Sequence, residues 1–184
     1  MVSCKKFDGK KFLKIILIIL LIIIISVTIF WWCYTPSVSS FLSNKPIEAT
    51  IYLDVYKSTE QLKKEKADFM DPGAAFEHYK LAINKREELD KLIEYFDDIN
   101  LRIDIFTTLN NFLGTKGKNM GEGFEYLIFT SLVYPNNKSD LLFLSRLEFN
   151  GPGKIKYKII NNDKIDKLVD YIKANGQLEK KWVT

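Results

Sequence analysis

The chain has 184 residues, 47% hydrophobic and 27% charged, with a formal net charge of +4. That composition excludes disordered, collagen-like and coiled-coil classes. Its two cysteines are too few for a disulfide scaffold or a structural zinc site.

The apolar residues are unevenly spread. Residues 12–34 are apolar except for Lys14, Ser26 and Thr28, and the last twenty of them carry no charge. At about 1.5 Å per residue, a helix of that length spans about 30 Å, the thickness of a bilayer hydrocarbon core. Only a helix pairs all of its own backbone groups inside lipid, so the segment predicts a single-pass transmembrane helix. Trp31, Trp32 and Tyr34 close it with rings suited to the headgroup level. Lys10, Lys11 and Lys14 belong to a basic cluster before the span, and Lys14 is placed to snorkel to the interface. This positive bias puts residues 1–11 in the cytoplasm and residues 35–184 outside, in the manner of an inner-membrane signal-anchor protein with a periplasmic domain. The competing reading is a signal peptide cut near Ser37-Val38-Ser39. The apolar run is long for that and ends in bulky rings.

Residues 1–34 hold five bases and one acid, leaving 22 of each in the remainder. The basic character therefore belongs to the anchor and argues against nucleic-acid binding. Cys4 and Cys33 fall at opposite ends of the span and cannot pair within one chain.

Residues 35–46 read as a tether and 47–184 as one α+β domain, with an antiparallel or mixed sheet and helices on one face. Ile47, Ala49, Ile51, Leu53 and Val55 alternate with polar residues, a half-buried strand. Ser58 and Gln61 have capping-box spacing, predicting a short helix. Residues 76–83 predict a second strand. Asn84 and Glu87 repeat the capping-box spacing before a helix with Leu89, Leu92, Ile93, Phe96 and Ile99 on one stripe. Leu101, Ile103 and Ile105 predict a strand. Residues 114–123 carry four glycines and read as a loop.

Residues 124–134 and 141–149 are apolar on both faces and predict central strands, joined by a turn at 135–138. Ile155, Tyr157 and Ile159 alternate with lysines, predicting an edge strand. Asn162 or Asp163 caps a last helix bearing Ile165, Leu168, Val169 and Ile172, which Asn175-Gly176 ends. Residues 89–96 and 165–172 match in type at every position. They are either an internal duplication of a strand–turn–helix unit or two independent amphipathic helices.

Chemistry is sparse. His78, the sole histidine, lies in a predicted strand with no nucleophile motif beside it, and no His/Cys cluster suggests a metal. Residues 114–119 lack the P-loop spacing. No cofactor is expected. Asn137-Lys138-Ser139 is a glycosylation acceptor pattern of a kind expected by chance. Asp90, Glu94 and Asp98 recur every four residues with Asp97 beside them. Such like-charge spacing costs a few tenths of a kcal/mol per pair. The stripe and the glycine loop, with Gly117 and Gly121, are the candidate partner-binding surfaces.

The layout resembles accessory subunits of bacterial secretion or division machines and anchored immunity proteins against periplasmic toxins. It implies a membrane-tethered protein-binding module, with the lipid bilayer and another protein as partners. The alternatives are an anchored enzyme acting on envelope material and a small-ligand sensor.

Overall fold

The computed structural model describes residues 9–64, 75–113, 125–150 and 155–179. The side chains of residues 9–11, 31, 32, 59, 106 and 110–112 lie outside that description. Two units are described separately, residues 1–35 and 36–184.

The first unit is helix α1 (Gly9–Cys33). Its residues Phe12–Phe30 form a 19-residue apolar stretch whose side chains are all exposed. Thr28 donates its hydroxyl to the Ile24 carbonyl at 2.8 Å, which hides the polar group on the helix itself. An exposed apolar helix of this length is compatible with a membrane anchor. Lys10, Lys11, Trp31 and Trp32 lie in it, with side chains outside the described set. The Tyr34 ring stacks on Phe30 at 5.4 Å.

The second unit is α+β. Its sheet has eight strands, all pairs antiparallel: β1 (Glu48–Tyr56), β2 (Phe76–Ile83), β3 (Leu101–Ile103), β4 (Tyr126–Val133), β5 (Ser139–Ser145), β6 (Glu148–Asn150), β7 (Lys156–Ile159) and β8 (Gln177–Glu179). Their order is β3-β7-β6-β5-β4-β1-β2-β8. The connecting helices are α2 (Thr59–Lys64), α3 (Arg86–Asp98), α4 (Ile105–Leu113) and α5 (Asn162–Asn175).

The alternation in β1 sends Ala49, Ile51 and Leu53 into the core, beside Ile83 and Leu81 of β2 and Leu132 and Ile128 of β4. That face packs against Leu89, Leu92 and Phe96 of α3 and Ile165, Leu168 and Ile172 of α5. The opposite face carries Phe129 and Leu141, 40% and 78% exposed, so the two-sided apolar character of β4 and β5 is only half used for burial.

The two predicted central strands are central, but residues 141–149 are not one strand. The chain bends at Arg146-Leu147, where the Ser145 hydroxyl accepts the N–H groups of Leu147 (3.4 Å) and Glu148 (3.1 Å). The turn after β4 puts Asn137 at φ 58°, with its N–H on the Tyr134 carbonyl at 3.0 Å.

Ser58 and Gln61 form the expected capping box, Ser58 N–H to Gln61 Oε1 at 2.8 Å and Gln61 N–H to Ser58 Oγ at 3.2 Å. Gly176 ends α5, its N–H on the Ile172 carbonyl at 2.7 Å.

Other expectations need correction. Within the stretch expected as a tether, residues 36–42 pack on the domain while 43–45 are exposed. A short 3-10 turn (Val38–Phe41) buries Val38 completely, Phe41 meets Phe149 and Tyr157 at 5.2 and 5.0 Å, and the Pro36 carbonyl accepts the Leu101 N–H at 2.8 Å. Ile105 begins α4 instead of extending β3, because Asp104 caps a helix. Its carboxylate accepts the Thr107 N–H at 3.2 Å and hydroxyl at 2.9 Å, and its carbonyl takes the Thr108 N–H.

β7 is not at the edge, since β3 pairs beyond it. The Asn84–Glu87 box does not form. The N-cap of α3 is Lys85, without a side-chain cap bond. The N-cap of α5 is Asn161 rather than Asn162 or Asp163, and its side chain reaches elsewhere. Its Oδ1 accepts the Asn100 N–H at 2.9 Å and its Nδ2 donates to the Asp98 carbonyl at 2.6 Å. Residues 151–154, where Gly151-Pro152-Gly153 predicts a turn, lie outside the described residues.

Candidate functional site

The predicted acidic stripe is carried by α3, whose apolar residues turn inward and leave Asp90, Glu94, Asp97 and Asp98 exposed. Asp90, Glu94 and Asp97 line one open groove of about 740 Å³ with Lys45, Glu87, Lys91 and Ile93. Asp98 does not join them. Each four-residue step over-rotates a helix by about 40°, and two steps turn Asp98 toward α5. There it takes the Lys164 ammonium at 2.8 Å. That bond, and the charge behind it, holds the Asp98 carboxyl below its ordinary range.

The stripe is also partly neutralised from within. Asp90 pairs with Arg86 at 3.3 Å and Lys45 at 3.7 Å, and Asp97 accepts the Ser39 hydroxyl. Glu94 makes no hydrogen bond or ion pair with a described residue. Gly117 and Gly121 lie outside the described residues.

A second groove, which the sequence did not reveal, opens beside α5 with a volume of about 710 Å³. Val55, Tyr126 and Val169 give it an apolar floor, and Asp166, Asp170 and Lys173 of α5 form one wall. Tyr126 is 5% exposed and donates its hydroxyl to Asp166 at 2.7 Å. Burial first, then the Asp166 carboxylate, pushes the phenol pKa well up, so it stays a donor. Arg146, from the bend after β5, pairs with Glu125 and stands 3.9 Å from Asp166. These partners, Glu125 foremost, raise its pKa further. β1, the β4–β5 hairpin and α5 meet here, and no local pattern marks their convergence.

His78 lies in neither groove lining. It is 6% exposed, and its Nδ1 bonds Asp54 Oδ1 at 2.8 Å. Ser145 shares that cross-strand row, but Leu127 stands between it and Asp54. Its hydroxyl is already engaged by the bend. A histidine–carboxylate pair is therefore present without a serine placed against it in that row. Among the described residues, no group of three or more His, Cys, Asp and Glu side chains is arranged to hold a metal ion.

No family model, curated protein or solved structure matches the chain.

Proposed function

We propose that this is a single-pass membrane protein whose folded domain lies outside the cytoplasm and binds another protein through its helix layer. A toxin-neutralising role and an accessory role in envelope assembly are the two forms of that reading. The observation that carries it is the α3 groove, which gathers Asp90, Glu94 and Asp97 on one shallow, solvent-open surface. An open surface suits a macromolecular partner better than a small substrate, which is normally taken up in a concave, largely enclosing site. The carboxylates there are exposed, and Asp90 and Asp97 are already engaged by Arg86, Lys45 and Ser39.

Retention of the span is supported by Val38. A cut after Ser39 would remove a fully buried core side chain and the Pro36–Leu101 hydrogen bond. The lysines before the span support a cytoplasmic N-terminus.

The test is crosslinked affinity capture of the full-length chain from its native membrane, beside a variant carrying Asp90→Lys, Glu94→Lys and Asp97→Lys. A stoichiometric protein partner that the variant loses is the expected result. A partner retained by the variant would remove the groove from the reading. Labelling of single cysteines placed before and after the span, from each side of sealed membranes, checks the orientation.

A further inference from the structure

We infer that helix α4 is an interfacial helix whose apolar side lies on the bilayer, sinking Leu109 and Leu113 into the boundary between headgroups and acyl chains. This rests on the membrane-anchor reading above and adds a second attachment of the domain to the lipid.

A helix on the surface of a soluble domain turns its apolar side to the core and its polar side to water. α4 does the reverse. It carries no charged side chain from Ile105 to Leu113, and its threonines are the residues that hold it to the domain. Thr107 donates its N–H and hydroxyl to the Asp104 carboxylate at 3.2 and 2.9 Å. Thr108 Oγ1 accepts the Lys156 N–H at 3.1 Å and donates to the Lys156 carbonyl at 3.4 Å, which clips the helix to β7. Ile105, Leu109 and Leu113 follow one another at four-residue spacing on the other side. Each such step turns about 40° further round the axis. Exposure rises with it: Ile105 is half-buried, Leu109 is 51% exposed and Leu113 74%. Single leucines on a surface are ordinary. An apolar stripe that turns outward along an uncharged amphipathic helix is the pattern of a helix lying in an interface.

The course of the chain says which apolar surface covers it. Only Tyr34 and Thr35 separate the last residue of α1 from Pro36, and three residues reach at most about 11 Å. The Pro36 carbonyl takes the Leu101 N–H at 2.8 Å, and Asp104, which caps α4, follows directly after the strand that Leu101 begins. α4 therefore starts one short strand from the point where the chain leaves the lipid. A leash this short holds the bilayer surface at high effective concentration, so a small apolar stripe suffices to keep the helix on it. With no charge on α4, the contact needs only an apolar surface.

The test uses the full-length chain with Cys4→Ser and Cys33→Ser, in phosphatidylcholine nanodiscs holding one chain each. A nitroxide is placed at Leu109→Cys, at Leu113→Cys or, as a control on the exposed side of α5, at Asp170→Cys. Electron paramagnetic resonance reads collisions of each label with oxygen, which concentrates in lipid, and with a neutral nickel chelate, which stays in water. The α4 labels should report a depth of about 5–10 Å into the boundary, and the control should report water. The depth should persist at high salt, because no charge takes part. Leu109→Asp should return the Leu113 label to the control value. Leu109 is exposed, so the fold should survive that change, which circular dichroism checks.

Labels on α4 as open to nickel as the control, in discs that contain the chain, would overturn the inference and leave the anchor reading standing. Shielding from both reagents would overturn it by showing cover from the domain itself. Shielding that appears only when two chains share a disc would overturn it in favour of a second copy. A chain that fails to enter the discs would overturn the anchor reading together with this one.

Discussion

Asn161→Ala should destabilise the domain by about 2 kcal/mol, from two hydrogen bonds each worth about 1 kcal/mol. Asn161 ties three elements together. It accepts from the Asn100 N–H at the start of β3 and donates to the Asp98 carbonyl, one of the last α3 carbonyls with no helical partner. Alanine leaves both groups unmade. Asn100 is only half-buried, so water recovers part of the loss and the upper end of the orphan penalty, about 3 kcal/mol, is not reached. Asn161→Asp separates the two bonds. It still accepts from Asn100, but it turns a carboxylate toward the negative end of α3, so it should be no more stable than alanine.

Urea unfolding of the full chain in detergent micelles, followed by circular dichroism, is the assay. The alanine midpoint should fall by about 1 M, taking a slope of about 2 kcal/mol/M. A shift below about 0.3 M, well under one hydrogen bond at that slope, would refute the assigned role. So would an aspartate variant as stable as the parent.

Gly176→Ala tests a close approach rather than a backbone angle, since Gly176 has φ −84°. A Cβ there would stand 2.6 Å from the Ile172 carbonyl oxygen and 3.2 Å from that of Lys80, both backbone atoms. The cost should be about 1–3 kcal/mol, as for other overpacked sites, and an unchanged thermal midpoint would contradict it. Asp104→Ala should cost about 0.5–2 kcal/mol as the loss of an N-cap. Burial opposes Asp104 ionisation, yet the Thr107 N–H and hydroxyl and the Lys158 ammonium outweigh it and hold the pKa below the ordinary value. A lowered folded pKa stabilises above the unfolded value of about 3.9. The gap between parent and variant should therefore close as pH falls below about 4 through the folded pKa. A gap constant from pH 7 to 3 would show that the charge contributes nothing.

Legibility in the sequence followed the range of the interactions. The β1 alternation, the Ser58–Gln61 box and the α3 and α5 stripes depend on neighbours within four residues, and all were readable. Start of α4 was not, because Ile105 continues the period-two pattern of β3 and only the Asp104–Thr107 contact shows that a helix wins. Residues 36–46 look like a linker by composition, yet Val38 finds its place against Ile99, whose carbonyl takes its N–H at 3.1 Å. Asn161 reads as a helix cap by type and position, but Asp98 and Asn100, brought close by the fold, compete for its side chain more effectively than its own helix does.

The stripe changes meaning under the same comparison. Read along the chain, four carboxylates at helical spacing carry a repulsion that invites an outside partner. In the fold, Arg86, Lys45, Ser39 and Lys164 meet three of them, and that repulsion is largely met from within. Repulsion alone therefore gives little reason to expect a partner. What remains is Glu94, exposed beside the half-buried Ile93 in the α3 groove and bonded to no described residue, and the docking reading rests on that side chain rather than on the whole stripe.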